Sequence, residues 1–101
     1  MEKTRERVFE AELHRLRGEL LLSLGNGRDA EVSLEGALTV ARGQEARMWE
    51  LRAAASLARL RRDQGRGTEA RDLLAPVYGW FTEGFDTADL IEAKALLDEL
   101  T

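Results

Sequence analysis

Apolar residues recur along most of the chain at intervals of three and four positions, with charged residues between them. Such spacing places apolar side chains on one face of an α-helix, whereas a half-buried strand would alternate at every second residue. Gly25, Gly43 and Gly65 interrupt the pattern, as glycines do where helices end. We therefore predict an all-α fold of five helices, over about residues 4–24, 28–42, 44–64, from 68 onward, and 87–100.

The first and last of these helices each carry one apolar face, which we expect to pack against the rest of the fold. On helix one this face comprises Phe9, Leu13, Leu16, Leu20 and Leu24. On helix five it comprises Leu90, Ala93, Leu97 and Leu100. Helix five is expected to cover the end of the preceding helices as a cap.

A short glycine pattern occurs twice in the chain, 40 residues apart. The sequence GNGRDA begins at Gly25 and the sequence GRGTEA begins at Gly65, and both fit G-x-G-x-x-A. The pattern resembles the fingerprint that holds a dinucleotide pyrophosphate between a strand and a helix. A chain of 101 residues is too short for two such βαβ units. We interpret the glycines as turns of a helical repeat and expect no cofactor.

Small and large residues recur at matched positions of the two repeats. They are Gly18, Leu21, Gly25, Ala30, Leu34 and Ala37 in repeat one, and Ala58, Gly65, Ala70 and Leu74 in repeat two. This series resembles the tetratricopeptide repeat, in the variant of about 40 residues that occurs in bacterial signal-transduction ATPases and maltose-type regulators. Arg61 and Val77 depart from the pattern of that family. Residues 73–90 resemble the C-terminal end of long bacterial ATPase or adenylate-cyclase-like proteins.

The resemblance implies two antiparallel helical hairpins in a right-handed superhelix, followed by the capping helix. We expect one domain over residues 1–101, with repeat one at 4–43, repeat two at 44–82 and the capping helix at 87–100. The resemblance also implies a concave surface, lined by the first helix of each hairpin, that binds peptides or protein segments.

Composition narrows the classes of function. The chain has no cysteine and one histidine, His14, so a cluster of the usual metal ligands is not expected. Its many carboxylates alternate with arginines at a spacing typical of solvated helix faces. We therefore expect no catalytic, metal or cofactor site, and we expect that the chain is not an enzyme.

The net charge of −4 is unevenly distributed along the chain. Residues 42–71 carry +4, whereas residues 1–41 carry −2 and residues 72–101 carry −6. A basic middle between acidic ends indicates charges that complement one another, so we expect no nucleic-acid partner. An apolar run long enough for a membrane span is absent from the sequence, as is the apolar core of a signal peptide near residue 1. These features favour a cytoplasmic protein without a membrane partner.

Two polar stripes are expected to face each other across the concave surface. They comprise Arg52, Ser56, Arg59 and Asp63 on helix three, and Glu12, Leu16, Glu19 and Ser23 on helix one. We expect Glu12 to lie opposite Arg52, and Glu19 to lie opposite Arg59. Two interpretations are open: a mixed-charge groove that recognises a partner, or ion pairing between the repeats.

Aromatic residues often anchor protein interfaces. Trp49 and Trp80 are the candidate anchors, whereas Tyr78, Phe81 and Phe85 are expected to pack beside helix five. These features together predict a non-catalytic scaffold that binds a protein or peptide segment, or other domains of a larger bacterial signalling protein. The alternative is a structural module that associates with itself, as in a homodimer.

Overall fold

The computed structural model describes residues 3–81 and 87–100, with side chains described from Glu10 onward. This part of the chain forms five helices and no strand: α1 (Lys3–Ser23), α2 (Gly27–Gly43), α3 (Arg47–Asp63), α4 (Gly67–Gly79) and α5 (Ala88–Leu100). The prediction of an all-α fold with five helices is confirmed. Within the two described ranges, no helix is both long enough and apolar enough to cross a membrane.

Each helix packs against the next along the chain, and α3 also contacts α1 and α5. Helix α3 therefore touches all four other helices. Its six consecutive residues 53–58 are buried, which is the pattern of a helix enclosed on nearly every side. The largest side chains that are fully buried come from α2, α3, α4 and α5, and they are Leu34, Leu51, Leu57, Leu74 and Leu90.

Three tight turns at a spacing of 20 residues set the lengths of α1 to α3. In each turn, one residue has a positive φ: 80° at Gly25, 56° at Glu45 and 78° at Gly65. The residue after it donates its backbone N–H to the carbonyl five positions earlier, at distances of 2.8, 2.9 and 2.7 Å. These are Schellman caps, which satisfy carbonyls at the end of a helix. Because the second turn occupies residues up to 46, α3 begins at Arg47 and not at residue 44 as predicted.

Helices α1 and α2 are in close contact at Gly18. A Cβ atom at this position would lie 2.7 Å from Leu34 Cγ and 3.3 Å from the Ala30 carbonyl oxygen. In the second hairpin the equivalent residues Ala58, Ala70 and Leu74 are all fully buried. The small residues predicted to permit close helix pairing are therefore at the contact between the paired helices.

The prediction of which face of helix one is buried is wrong. Leu13, Leu16, Leu20 and Leu24 are between 49% and 71% exposed, and the fifth member, Phe9, lies outside the described side chains. From Glu10 onward, the buried residues of α1 are Ala11 and Gly18, with Leu21 and Leu22 partly buried against the core. Residues two positions apart on a helix point about 200° apart. Because Gly18 must face α2, the leucines at 16 and 20 point away from it.

Helix α5 packs against α3 and α4, and its ion pairs with Arg52, Arg59 and Arg62 run along the length of α3. Its buried residues are Leu90, Ala93 and Leu96, whereas Leu97 and Leu100 are partly buried. Leu90 and Ala93 are buried as predicted. In the next turn, Leu96 is the buried residue and not Leu97, as was predicted. Most of the exposed residues of α5 are charged, and Lys94 forms an ion pair with Asp98 at 3.2 Å.

We predict that Gly18→Ala destabilises the protein by about 1–3 kcal/mol, because the new methyl group overlaps the Leu34 side chain. The matched control is Gly43→Ala, since no heavy atom lies within 4 Å of a Cβ at Gly43. Urea unfolding measures both free energies. Equal effects of the two substitutions would contradict the close contact of α1 with α2.

We also predict that Glu45→Gly stabilises the protein by about 0.5–1 kcal/mol, because glycine adopts a positive φ without the steric cost that glutamate bears. The opposite change, Gly65→Ala, should destabilise it by about 1 kcal/mol for the same reason. Thermal unfolding checks both. A loss of stability in Glu45→Gly would show that the second turn does not require this backbone conformation.

Candidate functional site

A shallow groove of about 300 Å³ lies where α1, α3 and α5 come side by side. Three arginines, Arg15, Arg52 and Arg59, line it together with the carboxylates Asp89 and Glu92 of α5. Its remaining lining residues belong to α3 and are Leu51, Ala55 and Ser56. The groove therefore has a mixed-charge rim over a floor supplied by the central helix.

The charges at one end of this groove form a continuous network across three helices. Arg15 donates two hydrogen bonds to Glu12, at 2.6 and 3.0 Å. Arg52 lies 3.9 Å from the same Glu12 carboxylate and donates a hydrogen bond of 2.9 Å to Asp89. The predicted pairing of Glu12 with Arg52 is confirmed. Arg52 belongs to α3, and its two contacts join this helix to α1 and to α5.

The other predicted pairing, Glu19 with Arg59, is wrong. Glu19 accepts a hydrogen bond of 2.6 Å from the Ser56 hydroxyl and lies 3.6 Å from Arg15. Arg59 donates to Glu92 of α5 at 3.3 Å. The hydroxyl of Ser56 is almost fully buried, so its hydrogen bond to Glu19 satisfies a polar group inside the contact between α1 and α3.

The last two residues of the predicted stripes do not reach across the groove. Ser23 donates its hydroxyl to the Leu20 carbonyl oxygen at 2.8 Å, within its own helix. Asp63 accepts a hydrogen bond from Arg62, its neighbour in sequence, at 3.1 Å. Both side chains are exposed at the end of the hairpins, so the structure brings together Glu12, Glu19, Arg52 and Ser56 but leaves these two apart.

Ion pairs also join the hairpins on the side opposite the groove. Arg61 contacts Glu31 and Glu35 of α2 at 3.3 and 3.1 Å, and Arg66 contacts Glu31 at 3.3 Å. These contacts account for an arginine at position 61, which lies 40 residues after Leu21. Its charged end binds the carboxylates of the preceding hairpin.

Hydrogen bonding from Arg15 holds the pKa of the Glu12 carboxyl below its ordinary value, with a smaller contribution from the charge of Arg52. The same contact raises the pKa of the Arg15 guanidinium. Both shifts favour the charged forms of the pair. The Glu12–Arg15 contact is therefore strongest at neutral pH.

The two candidate aromatic anchors both stack with arginines. The guanidinium carbon of Arg52 lies 4.8 Å from the centre of the Trp49 ring, and Trp49 is partly buried. Trp80 is 53% exposed, with Arg47 at 4.5 Å from its ring centre and the Phe81 ring edge-on at 5.4 Å. Tyr78 and Phe81 pack partly buried against the core, as predicted, whereas Phe85 lies outside the described residues.

Four of the large apolar side chains exposed in the described part of the chain lie on one face of α1, and of these only Leu16 belonged to a predicted stripe. They are Leu13, Leu16, Leu20 and Leu24, here called the leucine stripe. The sequence does carry a signal for it, because Gly18 belongs to the close contact with α2 and lies two positions from Leu16 and from Leu20. Apolar side chains on the face opposite Gly18 point away from α2. They are therefore exposed unless a third element covers them.

Elements of a catalytic or metal site are sparse. His14 is partly exposed, and its Nε2 lies 3.7 Å from a Glu10 carboxylate oxygen. Within residues 3–81 and 87–100, no three residues of the histidine, cysteine, aspartate or glutamate type are grouped so that they could hold a metal ion. Arginine–carboxylate pairs are the main chemistry of the groove.

A scan against protein-family models, a search of curated proteins and a search of solved structures each find no match. Functional inference for this chain therefore depends on its own geometry. The internal repeat is useful for this purpose, since residues 40 apart can be compared with one another within the same molecule.

We predict that Glu12 contributes to stability at neutral pH and loses this contribution in acid. The folded protein lowers the pKa of Glu12, so protonation favours the unfolded chain as the pH falls below about 4.3, the ordinary value for glutamate. The difference in melting temperature between the wild type and Glu12→Gln should therefore narrow as the pH is lowered. Glu45→Gln is the control, because Glu45 is exposed and has no ion pair in the described part of the chain. A difference that stays constant in acid would contradict the contact with Arg15.

Proposed function

We propose that this chain is a non-catalytic protein–protein interaction module that accepts a helical partner on the leucine stripe of α1. One observation carries the proposal. Leu13, Leu16 and Leu20 are about half exposed, whereas the residues 40 positions later, Ala53, Ser56 and Leu60, are at most 5% exposed. The same side of a repeated helix is thus covered in α3 and open in α1.

The third repeated helix, α5, supports the comparison. A Cβ on Gly27, at the start of α2, would lie 3.9 Å from the Leu60 side chain. A Cβ on Gly67, at the start of α4, would lie 3.9 Å from the Leu100 side chain. Leu20, Leu60 and Leu100 are therefore equivalent, and the latter two pack over the first residue of a preceding helix. Leu20 lacks such a neighbour within the described part of the chain.

Burial of one large apolar side chain contributes about 1.5–3 kcal/mol. Four neighbouring leucines left half exposed or more form a contiguous apolar surface, and such surfaces commonly mark interaction sites. A helix of complementary shape is the natural occupant, since α3 and α5 show that this side of the repeated helix binds helical structure.

The groove between α1, α3 and α5 is a weaker candidate for the interaction site. Its arginines and carboxylates are bonded to one another, so a charged peptide would have to break contacts that join the hairpins. These pairs favour the second of the two interpretations of the polar stripes, ion pairing between repeats. Binding of a peptide segment in the groove remains a prediction from the tetratricopeptide resemblance.

The same resemblance is the ground for proposing that the module belongs to a larger bacterial signalling protein, near its C-terminal end. The polar outer side of α5 supports an end position, because a terminal repeat needs a polar outer face to stay soluble.

Proximity labelling in the cells of origin tests the proposed function. The chain is fused to a labelling enzyme and compared with the variant Leu16→Glu/Leu20→Glu, which places two charges in the leucine stripe. The matched control is Val32→Glu/Ile91→Glu, because these two apolar residues are equally exposed but lie outside the stripe. We expect labelled proteins that are lost in the stripe variant and kept in the control. An identical set in all three chains would contradict the proposal.

A further inference from the structure

We propose that the leucine stripe is the interface of a symmetric dimer, in which α1 of one chain packs in parallel against α1 of a second copy. The inference deepens the proposed function, since it identifies the helical partner. It depends on three observations: the size of the leucines, the polarity of the opposite end of the molecule, and the charges beside the stripe.

The size of the side chains distinguishes the stripe from its internal equivalents. In α3, the residues that meet the preceding hairpin at these positions are Ala53 and Ser56, which are small and permit close approach. In α1 the equivalent residues are Leu13 and Leu16, which would be too large for that contact. Leucines at 13, 16 and 20 have the alternating three- and four-residue spacing of a coiled-coil seam, where large side chains interlock between helices 8–10 Å apart.

The other end of the molecule offers no counterpart for the stripe. The exposed residues of α5 are the charged Glu92, Lys94, Asp98 and Glu99 and the apolar Ala88, Ile91 and Ala95, of which Ile91 is the one large apolar side chain. A head-to-tail contact would therefore set the leucines against charged groups, with little apolar area gained. On a second copy, the surface that matches the stripe best is the same stripe, and a contact of this kind closes as a twofold dimer.

Charges beside the stripe determine the direction of the two helices. Glu12 and Glu19 flank it on the side of α3, where they also contact Arg15 and Ser56, so they would contribute a negative potential and not free partners; Arg17 flanks the stripe on the other side. Arg17 is exposed and forms no ion pair within the described part of the chain. A twofold axis parallel to α1 brings the acidic flank of one helix beside Arg17 of the other. A twofold axis across α1 would instead bring like charges together. The five-residue separation of Glu12 and Arg17 is also that of interhelical ion pairs in parallel coiled coils.

Light scattering on the full chain tests the dimer. Over protein concentrations from about 1 μM to about 500 μM, we expect the mass to rise towards twice the 11.3 kDa of one chain. The variant Leu16→Glu/Leu20→Glu should raise the dissociation constant at least about a hundredfold, whereas Val32→Glu/Ile91→Glu should change it by no more than about threefold. Circular dichroism confirms that each variant is helical.

Disulfide trapping tests the direction without a charge substitution. The chain contains no cysteine, so single substitutions give one thiol per chain. Positions 13 and 20 lie about 10 Å apart along the helix axis, beyond the reach of about 7 Å between Cα atoms that a disulfide allows. In a parallel pair both Leu13→Cys and Leu20→Cys should link to themselves. In an antiparallel pair at most one could, and if the pair is centred midway between positions 13 and 20, a mixture of the two variants would instead form the crossed link.

A mass of one chain at every concentration would overturn the inference, as would a dimer that persists in the stripe variant. A crossed link in place of the two self-links would overturn the parallel arrangement. These outcomes are distinct from failure of the proposed function. If the chain is monomeric but its labelled neighbours still disappear in the stripe variant, the stripe binds a helix from a different protein.

Discussion

The close contact of α1 with α2 at Gly18 determines which surfaces of the protein are inside and which are outside. A glycine there leaves no room for a side chain, because Leu34 lies where a Cβ atom would be. This fixes the rotation of α1 about its axis, since only one side of the helix can meet α2. The leucine stripe then points outward as a consequence of geometry, although its composition is that of a core.

In the rest of the fold, apolar residues fill the contacts between helices and charged residues form ion pairs at the edges of those contacts. Helix α3 is enclosed, so its centre consists of alanines and leucines, and its charged residues lie at the edges of that buried surface. Arg52 and Arg59 bind carboxylates of α5 on one side, while Arg61 binds those of α2 on the other. The basic middle and acidic ends seen in the sequence are thus largely explained by contacts within the molecule. Partly exposed pairs of this kind contribute little each, about 0–1 kcal/mol, so apolar packing provides most of the stability and the pairs define how the hairpins align.

Sequence reasoning predicted the elements that depend on local residues and failed where the answer depended on a distant neighbour. The helix count and the turns at Gly25 and Gly65 follow from spacing and from glycine itself. Glu45 takes the same positive φ, which glutamate rarely adopts, so no residue preference indicated this turn. The partner of Arg59 could not be predicted, since it requires the position of α5. The rotation of α1 was missed because the helix has two apolar sides, and only the contact at Gly18 separates them.

The two ends of the stack differ in a way that limits what the molecule can bind. At the end formed by α5, most of the exposed residues are charged, and they pair with one another or with α3, while Ile91 is the one large apolar residue exposed there. At the end formed by α1, the outward residues are leucines without such partners. Water solvates the charged groups of the first surface favourably. The free energy of the second surface falls when another apolar surface covers it. An array with one solvated end and one apolar end can associate through the apolar end alone. In the proposed dimer, association through this single end would stop at a pair of molecules and would not continue into a filament.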